Sequence, residues 1–300
     1  MQGTKFISVF SGKGGVGKSM LTILLADYIS SSNFRISKNK LRPFKVLILD
    51  FDDQCSSARD IIGEENVVSI GDKKLSLPDV IEKLTDFKNL DSVIPSLIAS
   101  REKEFGGRAL KLGNVDVINS INDSAIVEYI ESSIAETSKK IAKNLKKYFE
   151  GRYDFVLIDL PGSNIPNNYS LIGLLLAEHF VIPTSCSPME VFSLPKTFNL
   201  FDKLKVIKGT DFDLHVHGLV FNMLKQSENA YRSRRSKVLR IARSNGVEKI
   251  YEPNLPFNPS IHGIGLDEVP NFRQKWQFMF DPVRKLAKVI LADLGLGRKT

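Results

Sequence analysis

Eight residues near the N-terminus combine glycine, lysine and serine at the spacing of a phosphate-binding loop. The segment Gly12-Lys13-Gly14-Gly15-Val16-Gly17-Lys18-Ser19 fits the pattern G-x-x-x-x-G-K-[ST] and directly follows an apolar run. Glycines let the backbone turn tightly and point its N–H groups at phosphate oxygens, and the helix expected from about Lys18 adds the positive end of its dipole. We expect Lys18 to contact the β- and γ-phosphates of a nucleotide and Ser19 to hold a magnesium ion.

Two further segments place carboxylates at the ends of apolar runs. The segments Lys45–Asp50 and Tyr153–Asp159 each read as a short buried strand that ends in aspartate. Because open parallel sheets bind ligands at the carboxyl ends of their strands, we expect both aspartates near the phosphate loop. Asp159 is the expected magnesium carboxylate, acting through a water. The turn Pro161-Gly162 that follows is typical of a mobile switch loop.

A second lysine inside the loop narrows the interpretation. The run Lys13–Ser19 resembles the deviant Walker A motif of the ParA/MinD family of dimeric ATPases. The resemblance implies ATP and Mg²⁺ as cofactors, and it implies that Lys13 reaches across a sandwich dimer to the nucleotide of the partner. Spacing alone says only that another cation lies near the phosphates.

The same family has a D-x-D-P-Q segment, which Asp50-Phe51-Asp52-Asp53-Gln54 resembles. By that match Asp52 polarises the attacking water, and Asp50 supports magnesium or the loop lysines. This chain departs from the family at Asp53, where proline is usual, and at Cys55, where glycine is common. The added negative charge of Asp53 is expected to change the rate of hydrolysis.

Base recognition is the next role that the resemblance assigns. Asn222 ends the apolar segment 218–222 at the position of an adenine-reading asparagine, and its amide can both donate to and accept from the adenine edge. Asparagine after a strand is also a common turn residue, so both readings stay open. Met20 directly follows the phosphate loop, and Pro256 belongs to a segment that weakly resembles the second loop of the base pocket.

Strand and helix patterns alternate along the chain, which predicts an α/β fold: a doubly wound, mostly parallel sheet with helices on both faces, as in P-loop NTPases. Strands are predicted near 5–10, 45–50, 114–119, 153–159, 178–183 and 214–221. Helices are predicted near 18–31, 78–86, 123–149, 166–177, 190–207, 229–245 and 282–294. We expect a single ATPase domain over residues 1–300, with insertions near 32–44 and 63–113.

Composition excludes several classes of protein. Only two cysteines occur, so neither a disulfide framework nor the paired-cysteine metal sites of some relatives are expected. His215 and His217 share one strand face, but metal binding there is not expected. The N-terminus runs directly into the first strand, so no signal peptide is expected, and no apolar run approaches the ~20 residues that span a bilayer.

A basic helix points to nucleic acid. The net charge is +8, and residues 231–243 hold six basic residues and no acidic one. At about 100° per residue, four of them share one helix face: Arg232, Lys237, Arg240 and Arg243. A basic stripe with an apolar back suits the phosphate backbone of DNA, read without sequence preference, although a solvated face is the alternative.

The predicted last helix supports a rival interpretation. Its apolar stripe runs from Val283 to Leu294, opposite basic residues, and MinD-like relatives lie on membranes through such a helix. The stripe has no aromatic anchor, so we expect it to dock on the sheet, and we do not expect membrane binding.

The expected protein is therefore a ParA-like partition ATPase of the cytoplasm, associated with the nucleoid. It is expected to form a homodimer on binding ATP, to hold nonspecific DNA, and to be stimulated by a ParB-like or other small basic adaptor protein. A MinD-like membrane-cycling ATPase and a regulatory member of the family that positions no cargo are the alternatives.

Overall fold

The structure is a computed structural model, and it describes residues 3–37, 40–100, 114–121, 135–223, 229–255 and 277–295. Within these residues, apolar runs along the chain form one eight-stranded sheet. The strands are β1 (Lys5–Val9), β2 (Asn33–Ser37), β3 (Lys40–Pro43), β4 (Val46–Asp50), β5 (Ala99–Ser100), β6 (Val115–Ile118), β7 (Phe155–Asp159), β8 (His179–Thr184), β9 (His215–Phe221) and β10 (Ile250–Tyr251). The helices are α1 (Lys18–Ser30), α2 (Ser56–Ile62), α3 (Glu64–Asp72), α4 (Leu90–Leu97), α5 (Ala135–Phe149), α6 (Asn168–Leu176), α7 (Pro188–Lys208), α8 (Asn229–Ser244) and α9 (Gln277–Asp293), with 3₁₀ helices at Pro78–Thr85 and Phe87–Asn89.

The order of strands across the sheet is β10-β9-β8-β1-β7-β4-β6-β5. Every pair is parallel except β5 with β6. β1, β4 and β7 lie at the centre, and all their residues except Lys5 are buried, as is typical of parallel strands that are covered on both faces of the sheet. The predicted fold class is confirmed.

Alternate residues of the central strands pack into two cores, one on each face. Leu47 and Leu49 point to the face covered by α5, α6, α7 and α8. Ile48 points to the opposite face, which α1, α2 and α9 cover. The period of two along each strand thus divides one apolar run between two helical layers.

All six predicted strands form, and the structure adds short elements that the patterns did not indicate. The expected insertion at 32–44 is an antiparallel hairpin of β2 and β3, separate from the main sheet. The helix predicted near 78–86 is 3₁₀, and α2, α3 and α4 are additional. Of the helix predicted over 123–149, α5 is the described part. Elements this short depend on tertiary packing more than on local periodicity.

The apolar stripe of α9 is buried in the same core as α1, on which the helix packs. Val283, Leu286 and Ala287 are almost completely buried. The sequence predicts that this helix docks on the sheet, and α9 shares its core with α1 and with Val46 and Ile48 of β4. Among the described residues, no helix is both long enough and apolar enough to cross a membrane.

Candidate nucleotide-binding site

The phosphate loop and the predicted carboxylates meet at one edge of the sheet. β7 lies between β1 and β4, so the loop after β1 adjoins the ends of both aspartate-bearing strands. Asp50 and Asp159 are register partners at the last position of β4 and β7. Strand order therefore brings together three segments that are far apart in sequence.

The phosphate loop has the backbone of an anion site. Gly15 and Gly17 have φ angles of 75° and 78°, in the left-handed region that favours glycine. Gly17 is the N-cap of α1 and has no side chain to cap it, so the first N–H groups of the helix have no side-chain acceptor. A Cβ added at Gly14 or Gly15 would meet no atom within 4 Å, which leaves open space above the loop.

Lys18 lies beneath that loop and is only 7% exposed. Its Nζ donates to the carbonyl oxygen of Lys13 at 3.1 Å. Burial lowers the pKa of Lys18, while the negative charges of Asp159 and Asp52 act in the opposite direction. An anionic ligand at the loop would add a compensating charge for this buried amine.

Asp159 has the features of a magnesium carboxylate. It is fully buried, and its Oδ2 accepts the Ser57 hydroxyl at 2.5 Å. Its Oδ1 is buried and accepts no hydrogen bond from any described residue. Burial raises the pKa of Asp159, and the hydrogen bond from Ser57 and the positive charge of Lys18 counter that rise. Hard divalent cations prefer oxygen ligands, so the unpartnered Oδ1 of Asp159 fits magnesium, with the Ser19 hydroxyl as the second predicted ligand.

Asp50 shapes the loop that follows it. Its two carboxylate oxygens accept the N–H groups of Asp52 at 3.1 Å and of Ala58 at 3.0 Å. Burial and the nearby charge of Asp159 raise the pKa of Asp50 well above its usual range. Both oxygens are thus occupied by backbone, and a supporting role toward magnesium stays a prediction.

Asp52 is half-buried, whereas Asp53 beside it is exposed. The Oδ1 of Asp52 accepts the N–H of Gln54 at 3.1 Å. Burial raises the pKa of Asp52, and the hydrogen bond from Gln54 counters it. The extra carboxylate of Asp53 is therefore exposed to solvent, where its Oδ1 accepts a hydrogen bond from Gln54 Nε2 at 3.4 Å.

Lys13 is held by a neutral group. Its Nζ donates to Ser187 Oγ at 3.0 Å, and the same oxygen accepts the N–H of Glu190 as the N-cap of α7. Burial raises the pKa of Glu190, and the positive charge of Lys13 counters it. Sequence reasoning missed both partners, although Ser187-Pro188-Met189-Glu190 has the spacing of a capping box.

The side chain of Asn222 holds the phosphate loop through a hydrogen bond to its backbone. Its Nδ2 donates to the carbonyl of Val16 at 2.8 Å, and its Oδ1 accepts the N–H of Met223 at 2.9 Å. The side chain is fully buried, and a Cβ added at Gly17 would lie 2.4 Å from it. Met20 also lies beside that position, at 3.4 Å. Adenine contact by Asn222 stays a prediction, and Pro256 lies outside the described residues.

Several residues with left-handed backbone conformation lie around this site. In the described chain the non-glycine residues with positive φ are Cys55, Lys74, Cys186 and Met223, and all but Lys74 follow the ends of β4, β8 and β9. Gly162 approaches the phosphate loop so closely that an added Cβ would lie 2.5 Å from the nitrogen of Gly14. Strained loops of this kind are frequent at ligand sites.

The predicted basic stripe faces outward from α8. Its four members are exposed: Arg232, Lys237, Arg240 and Arg243. Val238 and Ala242 on the opposite side are buried in the core. The two remaining arginines have structural contacts, because Arg234 Nε donates to the carbonyl of Cys186 at 2.8 Å and Arg235 lies 4.9 Å above the ring of Phe221.

A histidine cluster lies at the start of β8 and β9, the edge opposite the phosphate loop. His179 Nδ1 and His217 Nε2 are 2.8 Å apart, and His215 stacks on His179. Burial lowers the pKa of His179 to about 3. Within the described residues, no group of three His, Cys, Asp or Glu side chains is arranged to hold a metal ion by itself.

A phosphate-binding loop joined to carboxylates at neighbouring strand ends of a parallel sheet defines a nucleotide site of the P-loop NTPase class. A family model described as an AAA domain matches residues 4–214, and the chain belongs to the ParA/MinD family of deviant Walker A ATPases.

Solved structures share this fold at low identity. A substituted McdA from Cyanothece in complex with ATP has a TM-score of 0.70 and 17% identity, covering 99% of this chain and 98% of that one. Cobyrinic acid a,c-diamide synthase from Mycobacterium smegmatis with ADP and magnesium has a TM-score of 0.67 and 17% identity over 99% and 98%. A plasmid partition protein from Borrelia burgdorferi has a TM-score of 0.62 and 18% identity over 97% and 99%. No curated protein matches the sequence closely enough to count as a relative.

Proposed function

We propose that this chain is an ATPase that dimerises around two ATP molecules, binds DNA without sequence preference as a dimer, and releases it after hydrolysis. The observation that carries the proposal is the meeting of an uncapped glycine-rich loop, a buried lysine and two buried carboxylates at adjoining strand ends. The fold shared with a plasmid partition protein and with an ATP complex of McdA supports it. In this proposal the chain acts as one domain in the cytoplasm, on nucleoid DNA, with a ParB-like or other small basic adaptor.

In this proposal, ATP binds in the open space above the phosphate loop, through the groups that surround that space. Lys18 and the first N–H groups of α1 bind the β- and γ-phosphates. Ser19 and Asp159, the latter through a water, hold magnesium. The bound ion neutralises charge on the phosphate oxygens. Asn222 keeps the carbonyl of Val16 turned away from the phosphates, because it donates to that carbonyl.

Asp52 is the proposed group that orients the attacking water. Its half-buried carboxylate has a raised pKa, so it is a stronger proton acceptor than a solvated aspartate. The carboxylate accepts a hydrogen bond from the water, and this bond orients a lone pair of the water oxygen toward the γ-phosphate. Asp50 supports this role indirectly, because it holds the backbone N–H of Asp52.

The proposed dimer face surrounds Lys13. Three large apolar side chains near it are left in solvent: Ile165 at 87%, Met189 at 69% and Phe192 at 81% exposure. Met189 and Phe192 lie on the first turns of α7, next to the Ser187 hydroxyl that holds Lys13. Burying such a patch against a second copy is favourable, and Lys13 exchanges a neutral hydroxyl for the charged nucleotide of the partner.

Phosphate release from Mg-ATP, together with light scattering and DNA anisotropy in ATP and in ADP, tests the proposal. Wild type is expected to hydrolyse ATP slowly, to dimerise only with ATP and to bind DNA only as the dimer. Lys18→Ala is the matched control, because it removes the buried amine and is expected to abolish all three. A chain that binds no ATP, or that binds DNA equally with and without ATP, contradicts the proposal.

A further inference from the structure

A cavity of about 440 Å³ lies beside the phosphate loop, between the loop 162–165 and α7. Of the phosphate loop only Gly12 lines it, whereas Gly14–Ser19, which hold the phosphates in the proposed function, do not. The cavity therefore shares Gly12 with the nucleotide site and Ile165 with the proposed dimer face, while its polar side chains belong to neither. Its volume is within the range of small-molecule and peptide-side-chain pockets.

The polar lining of this cavity is cationic. Lys196, Asn199 and Lys203 follow one another at helical spacing along one face of α7, and Asn164 lies across from them. No carboxylate is among the lining residues of the described chain. Lys196 and Lys203 have no ion-pair partner among the described residues, whereas Lys205 on the same helix pairs with Asp202 at 3.2 Å. Two unpaired ammonium groups with amide donors between them select an anion.

A short chain of hydrogen bonds connects the cavity with the phosphate loop. Gly12 N donates to Thr197 Oγ1 at 3.2 Å, and the one proton of the Thr197 hydroxyl has two acceptors within reach, Asn164 Oδ1 at 3.1 Å and the Ser193 carbonyl at 3.3 Å. Thr197 is fully buried, so water does not replace these contacts readily. A Cβ added at Gly12 would lie 1.7 Å from Asn164 Oδ1. A ligand that moves Asn164 therefore acts on the first residue of the phosphate loop.

We propose that this cavity binds a ligand with at least two carboxylates, which pair with Lys196 and Lys203 while Asn164 and Asn199 hydrogen-bond to it. The ligand is a free polycarboxylate or a pair of acidic side chains on a peptide, since the two offer the same chemistry. We further infer that its binding changes nucleotide affinity through Asn164 and Thr197. That second part rests on the proposed function, whereas the binding itself does not.

Calorimetric titration of the full chain, nucleotide-free and saturated with Mg-ADP, tests the proposal with two probes: citrate and a blocked Glu-Ala-Glu tripeptide. At least one probe is expected to bind more tightly than about 1 mM. The double variant Lys196→Gln/Lys203→Gln is expected to weaken binding by about tenfold or more, because two charge-assisted contacts are lost. Lys205→Gln is the matched control on the same helix and is expected to leave binding unchanged.

The comparison of probes identifies the source, since tighter binding of the tripeptide points to a protein partner and tighter binding of citrate to a small molecule. No binding of either probe, or equal weakening by Lys205→Gln, overturns the site. An affinity for Mg-ADP that is the same with and without the bound probe overturns the coupling, because linkage is reciprocal. Failure of the proposed function has a different signature: the probe binds, but ATP is not hydrolysed.

Discussion

Lys13 has no carboxylate partner within hydrogen-bond reach in the described chain, and its Nζ donates to the Ser187 hydroxyl oxygen at 3.0 Å. A neutral partner holds an ammonium group weakly compared with a phosphate, so the lysine can exchange one for the other at little cost. We expect Lys13→Ala to bind ATP nearly as wild type does, because Lys18 and the loop N–H groups remain, but to lose the ATP-dependent dimer. Light scattering after size-exclusion chromatography measures both states.

Ser187→Ala is a useful companion to that variant. It removes the hydroxyl that holds Lys13 and leaves the lysine, so the ATP-dependent dimer should persist. A normal dimer from Lys13→Ala contradicts the proposed role of Lys13 across the dimer.

Asp52 and Asp53 provide a matched pair for the chemistry. Asp52 is half-buried in the loop after β4, and burial raises its pKa, whereas the side chain of Asp53 is exposed. We expect Asp52→Ala to slow hydrolysis by roughly 10²-fold or more and to accumulate as the ATP-bound dimer, since the oriented water is lost while ATP binding remains. Asp53→Ala should change the rate by no more than a few-fold. A phosphate-release assay with the reverse ranking would move the role to Asp53.

At the scale of elements, Lys208 at the end of α7 connects three segments of the chain: α7 itself, the end of α6 and the loop before β9. Its Nζ donates to the carbonyls of Leu175 and Asp213, each at 3.0 Å, and of Ala177. Burial lowers the pKa of Lys208 to about 7. Lys208→Met keeps the volume but leaves three buried carbonyls without their donor, so we expect it to lower the free energy of unfolding by about 2–4 kcal/mol. Urea denaturation measures the loss.

Lys205→Met is the control that tests whether the loss of stability in Lys208→Met comes from the buried contacts of Lys208. Lys205 lies one turn earlier on α7, exposed, with a surface ion pair to Asp202. Removing this pair should cost about 0.5 kcal/mol or less. Equal losses from the two variants would show that α7 is destabilised generally and that the carbonyl contacts of Lys208 are not the cause.

At the scale of the whole molecule, the net charge of +8 is the largest electrostatic feature. The stripe on α8 holds four exposed cations, whereas Arg42 in the hairpin of β2 and β3 is paired with Asp154 at 2.6 Å. If all four residues of the stripe meet phosphates in both protomers, the slope of log K against log salt has a limit near −7, from about −0.9 per contact. Arg240→Glu/Arg243→Glu should flatten the slope and weaken DNA binding, with ATPase activity unchanged.

The control for that variant makes the same change of charge elsewhere. Lys285 and Lys288 are exposed on α9, and Lys285→Glu/Lys288→Glu should weaken binding only through net charge. Fluorescence anisotropy over a salt series separates the two. Equal slopes for both variants would mean that the stripe is a solvated face.

The sequence by itself determined the elements whose signals are local. Continuous apolar runs identified the central strands, and the spacing of glycine, lysine and serine identified the phosphate loop. Both patterns are complete within about ten residues, so no tertiary information is needed to recognise them. The outward face of α8 was likewise readable, because the positions of Arg240 and Val238 follow from helical periodicity.

Only the tertiary structure decided which polar groups pair. Asn222 braces Val16 and Ser57 holds Asp159, and each pair joins segments that are distant in sequence. These contacts depend on strand order, which places β7 between β1 and β4, and on register, neither of which is encoded in a local pattern. For the same reason the sequence predicted Lys13 as a cation near phosphates, whereas its partner Ser187, the N-cap of α7, was identified only once the structure placed β8 beside β1.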